Sequence, residues 1–400
     1  MPWKTKGIEG EREGFVAIAA CAEVNISELC RMYGISRKIG YKWYNRFLKY
    51  GKPGLRNRSR KPKTSPLQIG SDIVIRIVKL RGEHPRWGPK KLRAYLLKDG
   101  CPIEEVPSRG TIARMLKRAG LSEPKHRGRP RKNQPADEIT QPQEPNDIWT
   151  VDFKGWWRTM DGKRCEPLTV RDLYSRYILC LKPMARRNTE VTKAVFEGLF
   201  TKFGLPKRIR CDNGSPFASM SGPQGLTQLS AWWRWLGIEL ERIQPGHPEQ
   251  NGAHERMHLD IALEIEGQPG MTIEEEEKRL EEWRTEYNTI RPHEGIGQRR
   301  PADLYQISRR RLGDAVPTHY QDCPEIRRVG NGGKIKLDGV GRFISEALTK
   351  YDVKLKPVSC DLVEVWFCNL CLGVLDRTQV TPLQPTASSP SPAHQNVLPM

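Results

Sequence analysis

The sequence predicts a multidomain chain: N-terminal all-α helix-turn-helix domains, a central α/β domain and a small C-terminal β-barrel. Three observations predict it. Short capped helices separated by glycines occupy the first third, strand-like and helix-like segments alternate from Pro145 to Ser308, and short runs divided by turn residues follow from Lys334. A chain of 400 residues also exceeds what one core normally holds. The expected boundaries are a helix-turn-helix domain at 13–63, a second, winged one at 68–121, a basic linker at 122–146 and the α/β core at 147–308. A connector at 309–330, the barrel at 331–378 and a disordered tail at 379–400 complete the chain.

In the first domain Ser27 is placed to cap a helix carrying Leu29 and Met32, which Gly34 ends in a left-handed turn. Ser36 caps the next helix, with Ile39 and Trp43 inward and Arg37, Lys38, Lys42 and Arg46 outward. Two short helices about a glycine turn, the second of them basic, suit a reader of the DNA major groove. Arg58 and Arg60 follow as expected DNA contacts. In the second domain Ile73, Ile75, Ile77 and Val78 begin a helix that Gly82 ends, and Pro89 opens another. Ser108 caps a third, with Ile112, Met115 and Leu116 on one face and Arg114, Lys117 and Arg118 on the other.

The stretch from Ser122 to Asn146 has no apolar period and reads as a linker. Within it Arg127-Gly128-Arg129-Pro130 resembles an AT-hook, an arm whose arginines enter the minor groove; a plain basic linker is the other reading. In the core, strands are expected at 148–155, 166–172, 177–183, 207–212 and 238–243, and helices at 188–203, 225–236, 250–265 and 272–288. The last helix opens on Thr272 and Glu275 in capping-box spacing and turns Ile273, Leu280, Trp283 and Tyr287 inward. Short strands at 334–337, 341–344, 351–358, 362–367 and 370–375 suit a small barrel.

Charge names the partner class. Lys and Arg number 67 against 47 Asp and Glu, a formal charge of +20, and eleven of the basic residues fall between Arg37 and Lys63, where no acid stands. Such blocks release counterions from phosphates, the main source of sequence-independent DNA affinity. No run of about 18 apolar residues spans a bilayer. The N-terminus has no export-signal pattern, so a cytoplasmic, nucleoid-associated protein is expected. The ten cysteines form no disulfide framework, and Cys368-Asn369-Leu370-Cys371 has ligand spacing without a second ligand pair beside it.

Three acids stand apart. Trp149, Val151 and Phe153 form one face of a strand, so Asp152 points from the other. Asp212 ends a second strand before Asn213-Gly214, at the sheet rim where ligands bind; a turn-forming Asp-Asn-Gly is the plain alternative. Glu255 lies in the helix that follows His247 to Gly252. Oxygen ligands suit Mg²⁺, and two such ions about 3.5–4 Å apart can activate an attacking oxygen and stabilise a leaving one.

Thr150-Val151-Asp152-Phe153, Cys211-Asp212-Asn213-Gly214-Ser215-Pro216-Phe217 and the block from Pro245 to Arg256 resemble the three catalytic blocks of bacterial insertion-sequence DDE transposases, relatives of retroviral integrases. Tyr287-Asn288-Thr289-Ile290-Arg291-Pro292-His293, with Pro301-Ala302, resembles the segment that closes that core, and Leu29-Cys30-Arg31 with Gly34 to Arg37 resembles the family's N-terminal DNA reader. The resemblance implies an RNase H-like core and two Mg²⁺ (or Mn²⁺) ions on Asp152, Asp212 and Glu255. It also implies transposon ends and target DNA as partners, a homo-oligomer, and end cleavage followed by joining through the freed 3′-hydroxyl. Asp212 and Glu255 are 43 positions apart, more than in retroviral integrases, and counting alone would admit Glu249. Glu255 is preferred because it follows Asn251-Gly252 and sits within the helix, where Glu249 falls in the first turn. Two rival readings compete. His254-Glu255-Arg256-Met257-His258 matches the zinc-protease helix, but Arg256 would set a positive charge beside the metal. A catalytically inactive DNA-binding regulator would have no need of all three acids.

Overall fold

The computed structural model describes residues 7–21, 23–59, 69–122, 139–219, 222–244, 247–314, 320 and 325–385. Arg60, the AT-hook-like arm with Arg127 and Arg129, and most of the expected tail lie outside the described residues. Two compact units are formed, 1–68 and 69–400.

The first unit is three helices, α1 (Ile8–Ala19), α2 (Ile26–Met32) and α3 (Arg37–Tyr50), around Phe15, Val16, Leu29, Cys30, Ile35, Trp43 and Leu55. Ser36 caps α3 as expected, but α2 is capped by Asn25, whose side chain accepts from the Ser27 N–H, and Met32 is exposed. Gly34 makes the turn at φ 64°. At Gly40 the helices pass so closely that a Cβ would lie 2.3 Å from Cys30 Sγ. Helix α1 escapes a pattern reading because Arg12 occupies an inward position, its guanidinium donating to the Leu55 carbonyl at 2.8 Å and lying 3.7 Å from the Trp43 ring.

In the second unit α4 (Ser71–Glu83), α5 (Pro89–Lys98) and α6 (Arg109–Arg118) enclose Ile77, Leu80, Trp87, Leu92, Leu96, Ile112 and Leu116. Gly82 lies inside α4 rather than ending it. No strand flanks these helices among the described residues, so the expected wing is not seen.

The α/β part holds β1 (Ile148–Phe153), a hairpin of β2 (Trp157–Arg158) and β3 (Arg164–Cys165), β4 (Leu168–Asp172) and β5 (Ile178–Lys182). Then come α7 (Thr189–Phe203), β6 (Arg208–Cys211), α8 (Gln228–Trp235), β7 (Glu239–Arg242), α9 (Gly252–Ile261) and α10 (Ile273–Thr289). The sheet order is β5-β4-β1-β6-β7, antiparallel through β5, β4 and β1 and parallel through β1, β6 and β7. Trp149, Val151 and Phe153 face α7 and α8 in one core, with Phe196, Phe200, Leu229 and Trp233. The opposite face meets α9 and α10 through Ile178, Leu181, Met257, Ile261, Leu280, Trp283 and Tyr287. This is the expected α/β class, with every expected core strand and helix present.

The Tyr287-to-His293 segment acts as a clamp on that layer. Asn288, buried, accepts from the Ile178 N–H at 2.8 Å and donates to the Ile178 carbonyl at 2.9 Å, so its amide stands in for a missing neighbour strand at the β5 edge. Asn288→Ala is expected to lower unfolding stability by about 1–3 kcal/mol, read as a shifted urea midpoint, because two buried backbone groups lose their partner. Helices α4 and α5 dock nearby: His84 Nδ1 lies 3.0 Å from Glu286, and Lys90 and Lys98 pair with Glu294 and Asp303.

The described ends of both connecting segments are tied to the α/β part. Asn146 donates its N–H to Asp172 and its side chain to Gln306, while Arg310 donates to the carbonyls of Pro206, Leu236 and Gly237. The C-terminal strands are β8 (Ile326–Arg328), β9 (Lys334–Leu337), β10 (Val340–Phe343), β11 (Asp352–Pro357), β12 (Leu362–Phe367) and β13 (Leu370–Asp376). They form an open four-stranded sheet, β13-β12-β11-β8, and a separate β9–β10 pair, so the expected closed barrel is not seen among the described residues. A barrel needs an unbroken ladder; here Ala231 and Leu226 of the α/β part fill the core beside Val353, Val365 and Phe367. Gln384, in the segment expected to be disordered, bridges back to Val374. No helix among the described residues is long and apolar enough to cross a membrane.

Candidate active site

Strand β1 pairs in parallel with β6, and the register sets Thr150 against Arg210, an offset of 60 residues. The same 60 residues separate Asp152 from Asp212. Continuing the register therefore sets the two acids side by side at the carboxyl ends of neighbouring parallel strands, on one face. Asp212 follows directly on β6, where its Oδ1 accepts the Gly214 N–H at 3.2 Å and Asn213 donates to the Ile243 carbonyl at 2.8 Å. The Asp-Asn-Gly turn thus forms and orients the carboxylate at once.

Glu255 stands exposed in the first turn of α9, which starts at Gly252, two residues later than expected. Glu255 lies within α9 though in its first turn, whereas Glu249 belongs to the 3-10 turn Pro248–Asn251 before the helix, and its side chain is outside the described residues. Gln250 fastens the preceding segment, its Oε1 accepting the Gln244 N–H at 2.9 Å.

The three acids meet in their electrostatics at Asp152. Burial first, then the neighbouring Asp212 charge, and more weakly Glu255, raise its pKa from 3.8 to about 7, against the opposing Phe153 N–H and Arg187. Burial is the main cause of that rise, and the Asp212 charge adds to it; a divalent cation would offset both, and carboxylate oxygens are the donors Mg²⁺ and Mn²⁺ take. The donor set fits the ions that the family resemblance implies.

The sign of the pH effect follows. Between pH 3.8 and about 7 the metal-free folded state holds a proton at Asp152 that the unfolded chain has released. Stability therefore falls as pH rises through that window, and the full penalty persists above it. Asp152→Asn is expected to stabilise the metal-free protein by about 4 kcal/mol at pH 8 and hardly at all near pH 4, in calorimetric scans. A stabilisation independent of pH would remove the charge crowding from the explanation.

Sequence reasoning missed the groups packed behind Asp152. The Thr169 hydroxyl donates to the Asp152 carbonyl oxygen at 2.9 Å and lies 2.6 Å from His254 Nε2 and 2.8 Å from His258 Nε2. Thr150 Oγ1 lies 2.8 Å from His254 Nδ1. Burial, His258 and Arg171 push His254 well below its ordinary pKa; burial, Lys154 and Arg171 push His258 down to about 3. Both imidazoles are neutral. His254 and His258 do share a helix face, but His254 is fully buried with both nitrogens engaged by threonines and Glu255 points to solvent, which disfavours the zinc-protease reading. Arg187, 4.9 Å from the Phe153 ring and bonded to Glu166, and Lys154, bonded to Glu266, set positive charge beside the acids. The helical spacing of His254 and His258 was the one signal that could have found this layer.

The expected DNA contacts fall in two groups. Arg37, Lys38, Lys42 and Arg58 are exposed on the first unit, and Arg114 and Lys117 are exposed on α6. Arg46 differs: it donates to the Arg56 carbonyl at 3.0 Å and its guanidinium lies 4.6 Å from the Trp43 ring, so it also buttresses α3.

Comparison with known proteins places these features in a wider set. Residues 142–248 and 236–301 match models of the integrase core domain, and 39–116 match a homeodomain-like domain. The chain is 26% identical over 309 residues to the uncharacterised 31.7 kDa protein of insertion element IS407 from Burkholderia multivorans, covering 75% of this chain and 97% of that protein. It is 27% identical over 254 residues to the uncharacterised 39.2 kDa protein of insertion element IS476 from Xanthomonas euvesicatoria, covering 63% of this chain and 70% of that one. Among solved structures, the HTLV-2 integrase catalytic core domain in complex with magnesium aligns at 14% identity with a TM-score of 0.31, over 42% of this chain and all of that one.

Proposed function

We propose that this chain, which belongs to the bacterial insertion-sequence transposases with an integrase-like core, binds the terminal repeats of its element, cleaves the ends and joins them to target DNA. What supports this reading is the parallel β1–β6 register, which reaches Thr150 against Arg210 two residues before each acid, together with the Asp212 charge acting on Asp152. In cleavage, water adds across a P–O3′ bond, leaving a 3′-hydroxyl on the element and a 5′-phosphate on the flank. In joining, that hydroxyl forms a new bond to a target phosphorus while the target's own 3′-oxygen departs and takes up the proton.

Two Mg²⁺ or Mn²⁺ ions, when bound, supply the Lewis acid that activates the attacking oxygen and stabilises the departing one. Asp152 and Asp212 hold the ion positions from the sheet, and Glu255 closes them from α9. Arg187, whose charge acts on Asp152 while it also pairs with Glu166, is the cation placed to meet a scissile phosphate. Residues 13–63 and 68–121 read the ends through Arg37, Lys38, Lys42, Arg58, Arg114 and Lys117, and 147–308 is the catalytic domain. Arg60 adds to the first of these, the arm with Arg127 and Arg129 adds phosphate or minor-groove contacts, and the β-rich part from 331 holds DNA or a second subunit. A homo-oligomer brings two ends together.

The test is a joining assay with DNA carrying the terminal repeats that flank the encoding element. Joined product that requires Mg²⁺ or Mn²⁺ and those repeats is the expected result. End binding without any metal-dependent cutting or joining would leave a DNA-binding regulator in its place.

A further inference from the structure

The hydrogen bonds behind Asp152 are satisfied together by one tautomer of His258. Thr169 Oγ1 has one hydrogen, and it goes to the Asp152 carbonyl oxygen at 2.9 Å. The two imidazole nitrogens beside the same oxygen, His254 Nε2 at 2.6 Å and His258 Nε2 at 2.8 Å, must then both donate to its lone pairs. His254 in that tautomer has an acceptor at Nδ1, which meets the Thr150 hydroxyl at 2.8 Å. His258 in the same tautomer has its lone pair at Nδ1, and that atom faces Asp152 Oδ2 at 4.0 Å. One atom of each of Asp152, His254 and His258 lies within 4.8 Å of the others. Of the two histidines, only His258 has its outer nitrogen turned toward the carboxylate.

Two ligands of one ion lie about 3 Å apart when adjacent and about 4.2 Å apart when opposite, for bonds of about 2.1 Å. The observed gap is within that span. We propose that His258 Nδ1 is a nitrogen ligand of the ion held by Asp152, which gives this chain a mixed oxygen and nitrogen donor set. The proposal rests on the metal-site reading above and deepens it. Imidazole is a donor that first-row transition ions take far more readily than Mg²⁺ does. The Asp152 site of this chain is therefore biased toward Mn²⁺ over Mg²⁺. Thr169 fixes the ring, in the way that a partner on the outer nitrogen commonly orients a ligating histidine.

The experiment uses the purified full chain with Mn²⁺ alone, read by pulsed electron paramagnetic resonance. Imidazole ¹⁴N modulation on the bound ion is expected, replaced by the ¹⁵N pattern when the protein is grown on ¹⁵N-histidine, with no substitution needed. His258→Gln should abolish the modulation and lower the Mn²⁺ affinity about tenfold relative to Mg²⁺, while His254→Gln should leave a nitrogen signal. Mn²⁺ bound in an Asp152-dependent way without histidine modulation would overturn the ligand assignment and leave the carboxylate site standing. Mn²⁺ binding that is absent, or indifferent to Asp152→Asn, would overturn the metal-site reading itself.

Discussion

Asp152→Asn and Asp212→Asn are each expected to cut joining of terminal-repeat DNA by a factor of about 10³ or more while leaving end binding unchanged. Asparagine keeps the shape of the side chain and removes one anionic ligand and one unit of charge. The β1–β6 register, continued two residues past Thr150 and Arg210, sets the two acids beside each other, so neither replaces the other in holding an ion against a phosphate. Because they act as a unit, the double variant should be little worse than either single one. Gel-resolved joining, beside an electrophoretic shift on the same DNA, separates the two effects. Retention of joining within tenfold by Asp212→Asn would take that residue out of the chemistry and return Asp-Asn-Gly to the status of a turn.

Arg291→Met is expected to cost about 3–5 kcal/mol of stability, the largest effect of any substitution outside the acids. Its side chain is 3% exposed, and its guanidinium donates to Asp260 at 3.0 Å and to the two oxygens of Glu264 at 2.8 and 3.1 Å. Without it, Glu264 loses its partner and Asp260 keeps only the exposed Arg256 at 3.3 Å, so two carboxylates one turn apart repel each other near the carboxyl end of α9, where the helix dipole already disfavours negative charge. Since α9 carries Glu255 and His258, joining should fall together with stability. Arg291→Lys keeps the charge but loses the planar fork, and should recover only part. Adding Asp260→Asn and Glu264→Gln to Arg291→Met should restore stability, because the uncompensated charges are gone. A urea midpoint for Arg291→Met within about 1 kcal/mol of the parent would show that the clamp contributes little.

The resembling segment Tyr287 to His293 was legible as a motif, yet its work was not. Asn288 and Arg291 act on Ile178, Asp260 and Glu264, partners up to 110 residues away that no local pattern connects to them. The same limit hid α1, because a buried Arg12 looks polar in any periodicity and is recognised only once Leu55 and Trp43 are beside it. Met32 was read as core from its spacing on α2, but a seven-residue helix has too narrow a contact to cover it, and it stays in water. In the C-terminal part five of the six strands were readable from their alternation. Their arrangement was not, since closure into a barrel depends on ladders between strands far apart and on what α8 inserts among them.

By itself the sequence determined the local elements: caps such as Ser36, Ser108 and Thr272, the two-residue alternation around Asp152, and the basic helix surfaces. These follow from backbone hydrogen bonds and side-chain periods that act within a few residues. The tertiary structure alone decided that β1 and β6 run side by side with Thr150 against Arg210, and that His258 lies between Thr169 and Asp152. Which strand neighbours which, and which nitrogen carries a proton, depend on burial and pairing between distant segments, and those are properties of the folded core as a whole.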